Sequence, residues 1–302
     1  MSEMKALILG GTGMLGHKVF EALRVEVPEA WCAVRCHKDT EAKLAPGLLD
    51  DDRVIGGVDV TDFAALEKLL LHLHPRVVIN CVGVIKQRAQ AKSAIPSIEI
   101  NALLPHKLAE VCARWGGRLI HFSTDCVFSG LRGNYAEADL SDAQDLYGKS
   151  KYLGEVTTLA NALTLRTSII GRELTQFQSL LEWFLAQNGN SVQGYKRAIY
   201  SGVTTNYMAT LIPPLISDFP DLSGLYQVTA RAISKYDLLC QLREAYGLNI
   251  EIEPNDEFVC DRSMSGMRFE GATGIRTPQW SDLIKQLVND KMPYASWRSN
   301  AR

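Results

Sequence analysis

The stretch Lys5-Ala-Leu-Ile-Leu9, followed by Gly10-Gly-Thr-Gly-Met-Leu-Gly16, decides the fold of this 302-residue chain. The apolar run predicts a short buried strand, and Met14 to Leu23 has the apolar spacing of a helix. The glycines therefore stand where a first strand passes into a first helix, the setting in which free N–H groups receive a dinucleotide pyrophosphate. The predicted turn of this dinucleotide site consists of Gly10, Thr12, Gly13, Met14, Leu15 and Gly16.

Strand and helix patterns alternate from this turn to about residue 170. This alternation predicts an α/β fold, a doubly wound parallel (Rossmann) sheet with right-handed crossovers. Helices are predicted over Phe63–Leu73, capped by Thr61-Asp62, and over Ile98–Trp115, with Pro105 as a candidate kink. The other strands are predicted at Trp31–Arg35, Val54–Val58, Val77–Val82, Leu119–Ser123 and Leu163–Thr167.

The pattern becomes less regular after Gly171, which predicts a smaller α+β substrate-binding lobe over the carboxyl edge of the sheet. Residues 1–170 and about 199–232 are assigned to the dinucleotide-binding domain, and 171–198 and 233–302 to the lobe. Asn188 to Gly194 has a turn-rich composition, and we expect the tail from Pro293 to be loosely held. The helices of the lobe are predicted near Ser179–Ala186, Asn206–Ser217, Lys235–Tyr246 and Asp282–Val288.

Composition argues against several classes of protein. The 32 Lys and Arg residues nearly balance the 34 Asp and Glu residues, so nucleic acid and membrane surfaces are not expected partners. A glycine turn interrupts the first twenty residues where a signal peptide needs an apolar core, so we expect a soluble, cytoplasmic protein. Seven cysteines suit reduced thiols. Cys32, Cys36 and His37 could form a metal cluster, but no second ligand pair follows at zinc spacing, so no metal is predicted.

Tyr147-Gly-Lys-Ser-Lys151 predicts a hydride-transfer site. Residues four apart share a helix face, so Tyr147 and Lys151 can converge on one point. We expect the ammonium to lower the tyrosine pKa from ~10 and make the phenol a usable acid. The Thr124 hydroxyl would hold the same carbonyl oxygen while a nicotinamide delivers hydride. The predicted catalytic residues are Thr124, Tyr147 and Lys151, of which Tyr147 and Lys151 would also contact the cofactor.

The end of the second strand bears on the choice of cofactor. The sequence from Ala33 to Lys38 has no Asp or Glu that would bind the ribose 2′-hydroxyl of NAD. Arg35 and Lys38 could instead meet a 2′-phosphate, which favours NADPH and leaves NADH open. The alternative for Arg35 is an ordinary solvated strand terminus. Further predicted contacts to adenine and ribose are Asp59, Val60, Cys81, Val82 and Gly83.

These motifs together resemble the extended short-chain dehydrogenase/reductase family, in its dTDP-4-dehydrorhamnose reductase branch. The branch patterns fall on Asn101–Pro105, on Ser123–Phe128 and on Leu165–Ser168, and its second-lobe landmarks on 201–205, 224–228 and 234–239. The resemblance implies reduction of a keto group on a nucleotide-linked deoxysugar, for polysaccharide or glycoconjugate precursors. It also implies cofactor contacts from Asn101, Ser123 and Thr167, and substrate contacts from Thr124, Asp125, Val127, Phe128 and Tyr147.

Two departures from the family pattern limit the substrate and the reaction. Dehydratases of the superfamily carry Asp-Glu after the catalytic threonine, and here Asp125-Cys126 disfavours dehydration because a thiol is a poor acid. Ile169-Ile170 replaces the aromatic residue of the rhamnose-forming reductases. The candidate cations for the substrate are Lys86, Arg172 and Lys196, each of which could equally be a solvated surface residue.

Two alternatives stay open beside the reductase. One is a nucleotide-sugar epimerase that retains NAD(P), and the other is a non-catalytic, NADP-binding regulatory subunit. The complete set of Thr124, Tyr147 and Lys151 favours an NAD(P)-dependent oxidoreductase. The expected partner is a nucleotide sugar, and a homodimer is an open option.

Overall fold

The computed structural model describes residues 5–85 and 93–300. Its strands give one large parallel sheet and three small sheets. The strands are, in chain order, β1 Lys5–Leu9, β2 Glu29–Ala33, β3 Val54–Ile55, β4 Val77–Asn80, β5 Arg118–Thr124, β6 Ala162–Thr167, β7 Ile169–Ile170, β8 Ser191–Tyr195, β9 Ala198–Tyr200, β10 Val203–Thr204, β11 Gly224–Gln227, β12 Ile233–Ser234, β13 Glu251–Asn255 and β14 Cys260–Asp261.

The large sheet has seven strands in the order β11-β6-β5-β4-β1-β2-β3, all parallel. The strand order reverses between β1 and β4, and ligands of doubly wound sheets bind at the carboxyl ends of the strands on either side of such a reversal. Every residue of β4 and β5 is buried, as expected for strands that are covered on both faces. The predicted Rossmann architecture is confirmed.

Helices cover both faces of the large sheet and build most of the smaller lobe. They are α1 Gly16–Glu26, α2 Lys38–Leu44, α3 Phe63–Leu73, α4 Ala94–Ser97, α5 Leu104–Ala113, α6 Leu146–Leu153, α7 Leu180–Leu185, α8 Thr205–Ser217, α9 Lys235–Tyr246, α10 Met267–Thr273, α11 Trp280–Val288 and α12 Tyr294–Asn300.

A π-helical segment, Ile98–Leu103, joins α4 to α5 in the region predicted as one long helix. Pro105 follows immediately and has no N–H to donate to the carbonyl of Asn101. Gly154, just after α6, packs against that carbonyl, and a Cβ there would lie 1.9 Å from the oxygen. The carbonyl of Asn101, which Pro105 leaves without a helical N–H donor, therefore lies at a close contact between the π-helical segment and the end of α6.

Two expectations for the second half of the chain need correction. Residues 188–190 form the expected turn, but 191–194 belong to β8, which pairs in parallel with β13. The tail expected to be loose forms α12, in which Tyr294 and Trp297 are each only 4% exposed. Burial of two aromatic rings provides the stabilisation that the polar composition of this tail does not suggest.

The proposed division into domains stays a prediction. In its favour, β11 joins the large sheet beside β6, whereas β8 and β13 form a separate pair. Among the described residues, no helix is both long and apolar enough to cross a membrane.

Candidate active site

The glycine turn between β1 and α1 packs closely against β2. Gly10 has a φ of +86°, which an L side chain rarely adopts. The N–H groups of Gly10 and Gly11 both donate to the carbonyl of Ala33, at 3.2 and 3.1 Å. A Cβ on Gly11 would lie 1.9 Å from Sγ of Cys32. The turn therefore requires glycine at these positions to rest on the neighbouring strand.

The other side of the turn is open, as a pyrophosphate site requires. A Cβ on Gly13 would meet only the carbonyl oxygen of Gly10, at 3.2 Å. Thr12, Gly13 and Met14 are partly exposed, whereas Leu15 and Gly16 are buried. The accessible part of the turn therefore directly precedes the N-terminus of α1, which fits an anionic ligand.

The residues predicted for the adenosine 2′-phosphate lie beyond the end of β2. Arg35 is exposed, and Nζ of Lys38 lies 3.4 Å from the carboxylate of Asp52. Hydrogen bonds from the N–H and hydroxyl of Thr61 lower the pKa of Asp59, and the guanidinium of Arg35 lowers it further. The structure therefore brings Arg35 close to Asp59.

The segment after β4 lies against the glycine turn. Cys81, Val82 and Gly83 are partly exposed, and Cγ2 of Val82 is 3.0 Å from where a Cβ on Gly10 would be. Val60 packs in the same apolar cluster as Val82. These residues surround the region predicted to hold adenine and ribose.

Asn101 connects this segment to α6. Its side chain is 1% exposed, accepts from the N–H of Val84 at 2.9 Å and donates to the carbonyl of Val84 at 3.0 Å. The amide also donates to the Ser150 hydroxyl at 3.2 Å. Its hydrogen bonds hold the protein together, and its predicted cofactor contact stays a prediction.

Thr124, Tyr147 and Lys151, which we call the Thr-Tyr-Lys group, lie at the carboxyl end of β5 and on α6. Asp145 caps α6 by accepting from the N–H of Gly148 at 2.8 Å. The hydroxyl of Thr124 lies close enough to that of Tyr147 to influence the pKa of the phenol. Nζ of Lys151 instead donates to the carbonyl of Phe122 at 2.6 Å.

The expected effect of Lys151 on the tyrosine is wrong. Burial raises the pKa of Tyr147, and the nearby Cys126 and Asp125 raise it further, while the nearby Thr124 hydroxyl opposes them. Burial also lowers the pKa of Lys151 to about 8, against the opposing charge of Glu155. Desolvation therefore outweighs the attraction of the ammonium, which is directed at a backbone carbonyl. Tyr147 is protonated at neutral pH.

A buried ion pair lies next to the Thr-Tyr-Lys group. The guanidinium of Arg166 binds both carboxylate oxygens of Glu155, at 2.8 and 2.7 Å. Ser123 donates to Glu155 at 2.6 Å, and the hydroxyl of Thr167 donates to the carbonyl of Val228 at 2.8 Å. The hydroxyls of Ser123 and Thr167 thus have partners within the protein, and their predicted cofactor contacts remain untested.

The residues that follow Thr124 differ in their access to a ligand. Asp125 is buried next to Thr124, whose hydroxyl donates to it at 3.2 Å. Val127 and Phe128 are completely buried, and Phe128 stacks on Tyr135 with ring centroids 4.0 Å apart. Val127 and Phe128 can shape the site from beneath, but they expose no surface that a substrate could contact.

The predicted substrate cations lie in different places. Nε of Arg172 lies 2.7 Å from the carboxylate of the fully buried Glu182, which occupies it within the lobe. Lys196 is exposed on the turn between β8 and β9, 5.8 Å from the ring of Tyr236. Lys86, with Gln87 and Arg88 beside it, lies outside the described residues.

Three residues that the sequence reasoning missed approach the Thr-Tyr-Lys group; we call Tyr200, Lys235 and Arg262 the second-lobe group. Arg262 donates from Nε to the carbonyl of Phe128 at 2.8 Å, and its Nη1 lies 3.7 Å from Sγ of Cys126. Nζ of Lys235 lies 4.0 Å from the centroid of the Tyr200 ring. Burial lowers the pKa of Lys235, and nearby Asp125 opposes this. Two cations therefore face the predicted reaction centre; Lys235 falls within the family landmark at 234–239, but neither cation was predicted to lie at the site.

Within residues 5–85 and 93–300, no group of three or more His, Cys, Asp and Glu side chains could hold a metal ion. Cys32 is buried beneath the glycine turn, and Cys36 is exposed.

The sheet, the glycine turn and the Thr-Tyr-Lys group define a dinucleotide-binding protein of the short-chain dehydrogenase/reductase type. The sequence matches the RmlD substrate binding domain family over residues 4–292. The chain therefore belongs to this family, and the resemblance to the extended branch of these proteins is confirmed.

Curated relatives include an enzyme and a subunit of another enzyme. A dTDP-4-dehydrorhamnose reductase of Mycobacterium tuberculosis is 38% identical over 118 residues, which cover 36% of this chain and only 38% of that relative. Methionine adenosyltransferase 2 subunit beta of Mus musculus is 27% identical over 317 residues, covering 93% of this chain and 88% of that protein. The shorter stretch of higher identity and the longer similarity thus point to relatives with different names.

Solved structures share the fold over nearly the whole chain. A dTDP-4-dehydrorhamnose reductase from Bacillus anthracis in complex with NADP has a TM-score of 0.78 and 19% identity, covering 94% of this chain and 98% of its own.

Proposed function

We propose that this protein catalyses the NADPH-dependent reduction of a keto group on a nucleotide-linked deoxysugar. The observation that carries the proposal is the approach of the Thr124 and Tyr147 hydroxyls at the carboxyl edge of the sheet, where the glycine turn also lies. The full-length family match and the reductase of Mycobacterium tuberculosis support this choice of reaction.

Tyr147 is the proton donor in this reaction. Its raised pKa keeps the phenol protonated at neutral pH, as the donor in a reduction must be. Thr124 donates a hydrogen bond to the same substrate oxygen by turning its hydroxyl from Asp125. The bound nicotinamide supplies the hydride. Lys151 lies on the same face of α6 and stabilises the tyrosinate that remains after proton transfer only once its ammonium turns from the carbonyl of Phe122.

The residues around the glycine turn fit NADPH. The open side of Gly13 leaves room for the pyrophosphate, and Arg35 supplies a cation beyond β2 for the 2′-phosphate. The sugar nucleotide carries a diphosphate, for which Lys235 and Arg262 are the suited partners, because neither is in an ion pair within the described part of the chain.

The test is incubation of the purified protein with NADPH and a panel of 4-keto-6-deoxy nucleotide sugars that differ in nucleotide. Nicotinamide absorbance and product mass are followed together. Reduction predicts a product about two mass units heavier, formed in step with loss of NADPH. Isomerisation at constant mass, with no change in absorbance, would instead identify the epimerase alternative.

The second candidate is a non-catalytic, NADP-binding regulatory subunit. Its support is the similarity to methionine adenosyltransferase 2 subunit beta, which extends over 93% of the chain. Tight NADPH binding, with no turnover of any keto sugar in the panel, would favour this candidate. A measurable turnover that Tyr147→Phe abolishes would exclude it.

A further inference from the structure

A buried chain of hydrogen bonds connects the back of the glycine turn to α12. His17 lies in the first turn of α1 and is fully buried. Its Nδ1 is 2.9 Å from the carbonyl oxygen of Gly13, and its Nε2 is 2.8 Å from the hydroxyl of Tyr294. The segment expected to be loose thus reaches the turn predicted to bind the pyrophosphate.

The direction of each hydrogen bond follows from the number of protons available. A carbonyl oxygen only accepts, so Nδ1 of His17 must carry a hydrogen. Burial lowers the pKa of His17 to about 4, so the ring is neutral near pH 7 and its Nε2 is an acceptor. The Tyr294 hydroxyl has one proton, and the contact to Nε2 of His17 at 2.8 Å is shorter than that to Oδ2 of Asp290 at 3.3 Å, so Tyr294 donates to His17, which in turn donates to Gly13.

Tyr294 is itself held from two sides. The guanidinium of Arg172 lies 4.7 Å from the centroid of its ring and is fixed by Glu182. The Tyr294 oxygen is also 3.3 Å from Oδ2 of Asp290, which accepts from Lys18 and from Asn206 at 2.9 Å each. The position of the hydroxyl is therefore fixed before any ligand binds, and its fixed position is transmitted through His17 to the turn.

We propose that His17 and Tyr294 are positioning residues for the dinucleotide, which hold the peptide of Gly13 in its binding geometry from behind. The inference rests on the proposed cofactor site at the glycine turn. An added Cβ on Gly13 would meet only the Gly10 carbonyl, and besides His17 Nδ1 the peptide of Gly13 is held by its own N–H donating to Gly10 at 2.9 Å and by the N–H of His17 at 3.2 Å. Without the buried support the turn would populate other conformations, and the apparent Kd rises as the competent fraction falls.

The first test is Tyr294→Phe, which removes the hydroxyl and keeps the ring. Loss of one buried hydrogen bond predicts a Kd for NADPH about two to ten times higher, by fluorescence titration. The kcat at saturating NADPH should stay within about twofold, because Tyr294 does not contact the Thr-Tyr-Lys group. The matched control is Tyr246→Phe, since the buried hydroxyl of Tyr246 has no hydrogen-bond partner in the described residues. The control should leave the Kd unchanged.

A double-mutant cycle separates positioning from a general loss of stability. His17→Asn has an amide too short to join Gly13 to Tyr294, so adding Tyr294→Phe to it should cause no further loss of NADPH affinity. Additive losses of affinity in the double variant would overturn the inference. A Kd for NADPH equal to that of the wild type in Tyr294→Phe would also overturn it. If His17→Asn does not fold, the Kd of Tyr294→Phe decides the question by itself. If the wild-type protein binds NADPH and Tyr294→Phe binds it with the same Kd, only the positioning role is excluded, and the proposed function stands. A wild-type protein that binds no nicotinamide dinucleotide overturns both.

Discussion

The cofactor side of the site is built from short contiguous stretches, whereas the second-lobe group is collected from segments far apart in the chain. The glycine turn and the pair on α6 each fit within one strand-turn or one helix. Tyr200, Lys235 and Arg262 come from the end of β9, the start of α9 and the residue after β14. Local spacing therefore reveals the first side, and only long-range packing reveals the second. The following variants test whether the two sides also differ in function.

The largest expected effect is on the contiguous side, at Tyr147. Tyr147→Phe removes the proton donor and keeps the ring, so turnover should fall by about two to four orders of magnitude. The affinity for NADPH should change little, because the glycine turn is intact. Steady-state kinetics and fluorescence titration measure the two quantities. Turnover kept within a few fold would remove Tyr147 from the mechanism.

The next effect is on stability, at the buried pair beside the Thr-Tyr-Lys group. Glu155→Ala leaves the guanidinium of Arg166 uncompensated, with its side chain 1% exposed, and should lower the free energy of unfolding by about 3 kcal/mol or more. The matched control is Glu67→Ala, which breaks an ion pair with Arg114 on the exposed face of the helices and should change the free energy by less than about 1 kcal/mol. Chemical denaturation measures both. Equal changes would mean that burial of the Glu155 pair has no energetic role.

The choice of cofactor provides the third test. A charged hydrogen bond contributes roughly 1.5 to 3 kcal/mol, so Arg35→Ala should weaken NADPH binding by about ten- to a hundredfold. NADH, which has no 2′-phosphate, is the internal control and should bind nearly as before. Equal losses for the two cofactors would place Arg35 away from the 2′-phosphate.

The sequence predicted the bounds of a helix correctly where a local capping side chain marks its start. Phe63–Leu73 and Lys235–Tyr246 have the predicted bounds because each begins at a capping side chain, Asp62 or Ser234. The sequence-based prediction failed where contacts between distant segments determine the secondary structure. Ser191–Tyr195 is a strand because its backbone pairs with Glu251–Asn255, although its own composition suggests turns.

In the candidate active site, too, local features were predicted and long-range contacts were not. The spacing of Tyr147 and Lys151 predicted one helix face, but the partner of the ammonium could not be read from it. The ammonium of Lys151 donates to the carbonyl of Phe122, a backbone acceptor on β5. No sequence motif indicates such an acceptor. Lys235 and Arg262 were missed as a pair for a similar reason, since they come from separate segments of the chain.

The smallest effect is expected from the second-lobe group, and it tests whether that side binds substrate at all. Arg262, the second cation proposed for the diphosphate, remains in the variant, so Lys235→Met should raise the KM for the keto-sugar nucleotide by about three- to tenfold. The kcat should stay within about twofold, because the Thr-Tyr-Lys group is unchanged and the contact would be the same in ground state and transition state. The matched control is Lys196→Met, an exposed lysine of the same lobe, which should leave the KM within about twofold. A larger rise in KM for Lys196→Met than for Lys235→Met would place the anionic part of the substrate on the β8–β9 turn. A kcat that falls with the KM unchanged would make Lys235 part of the chemistry, and the two sides of the site would then share the reaction.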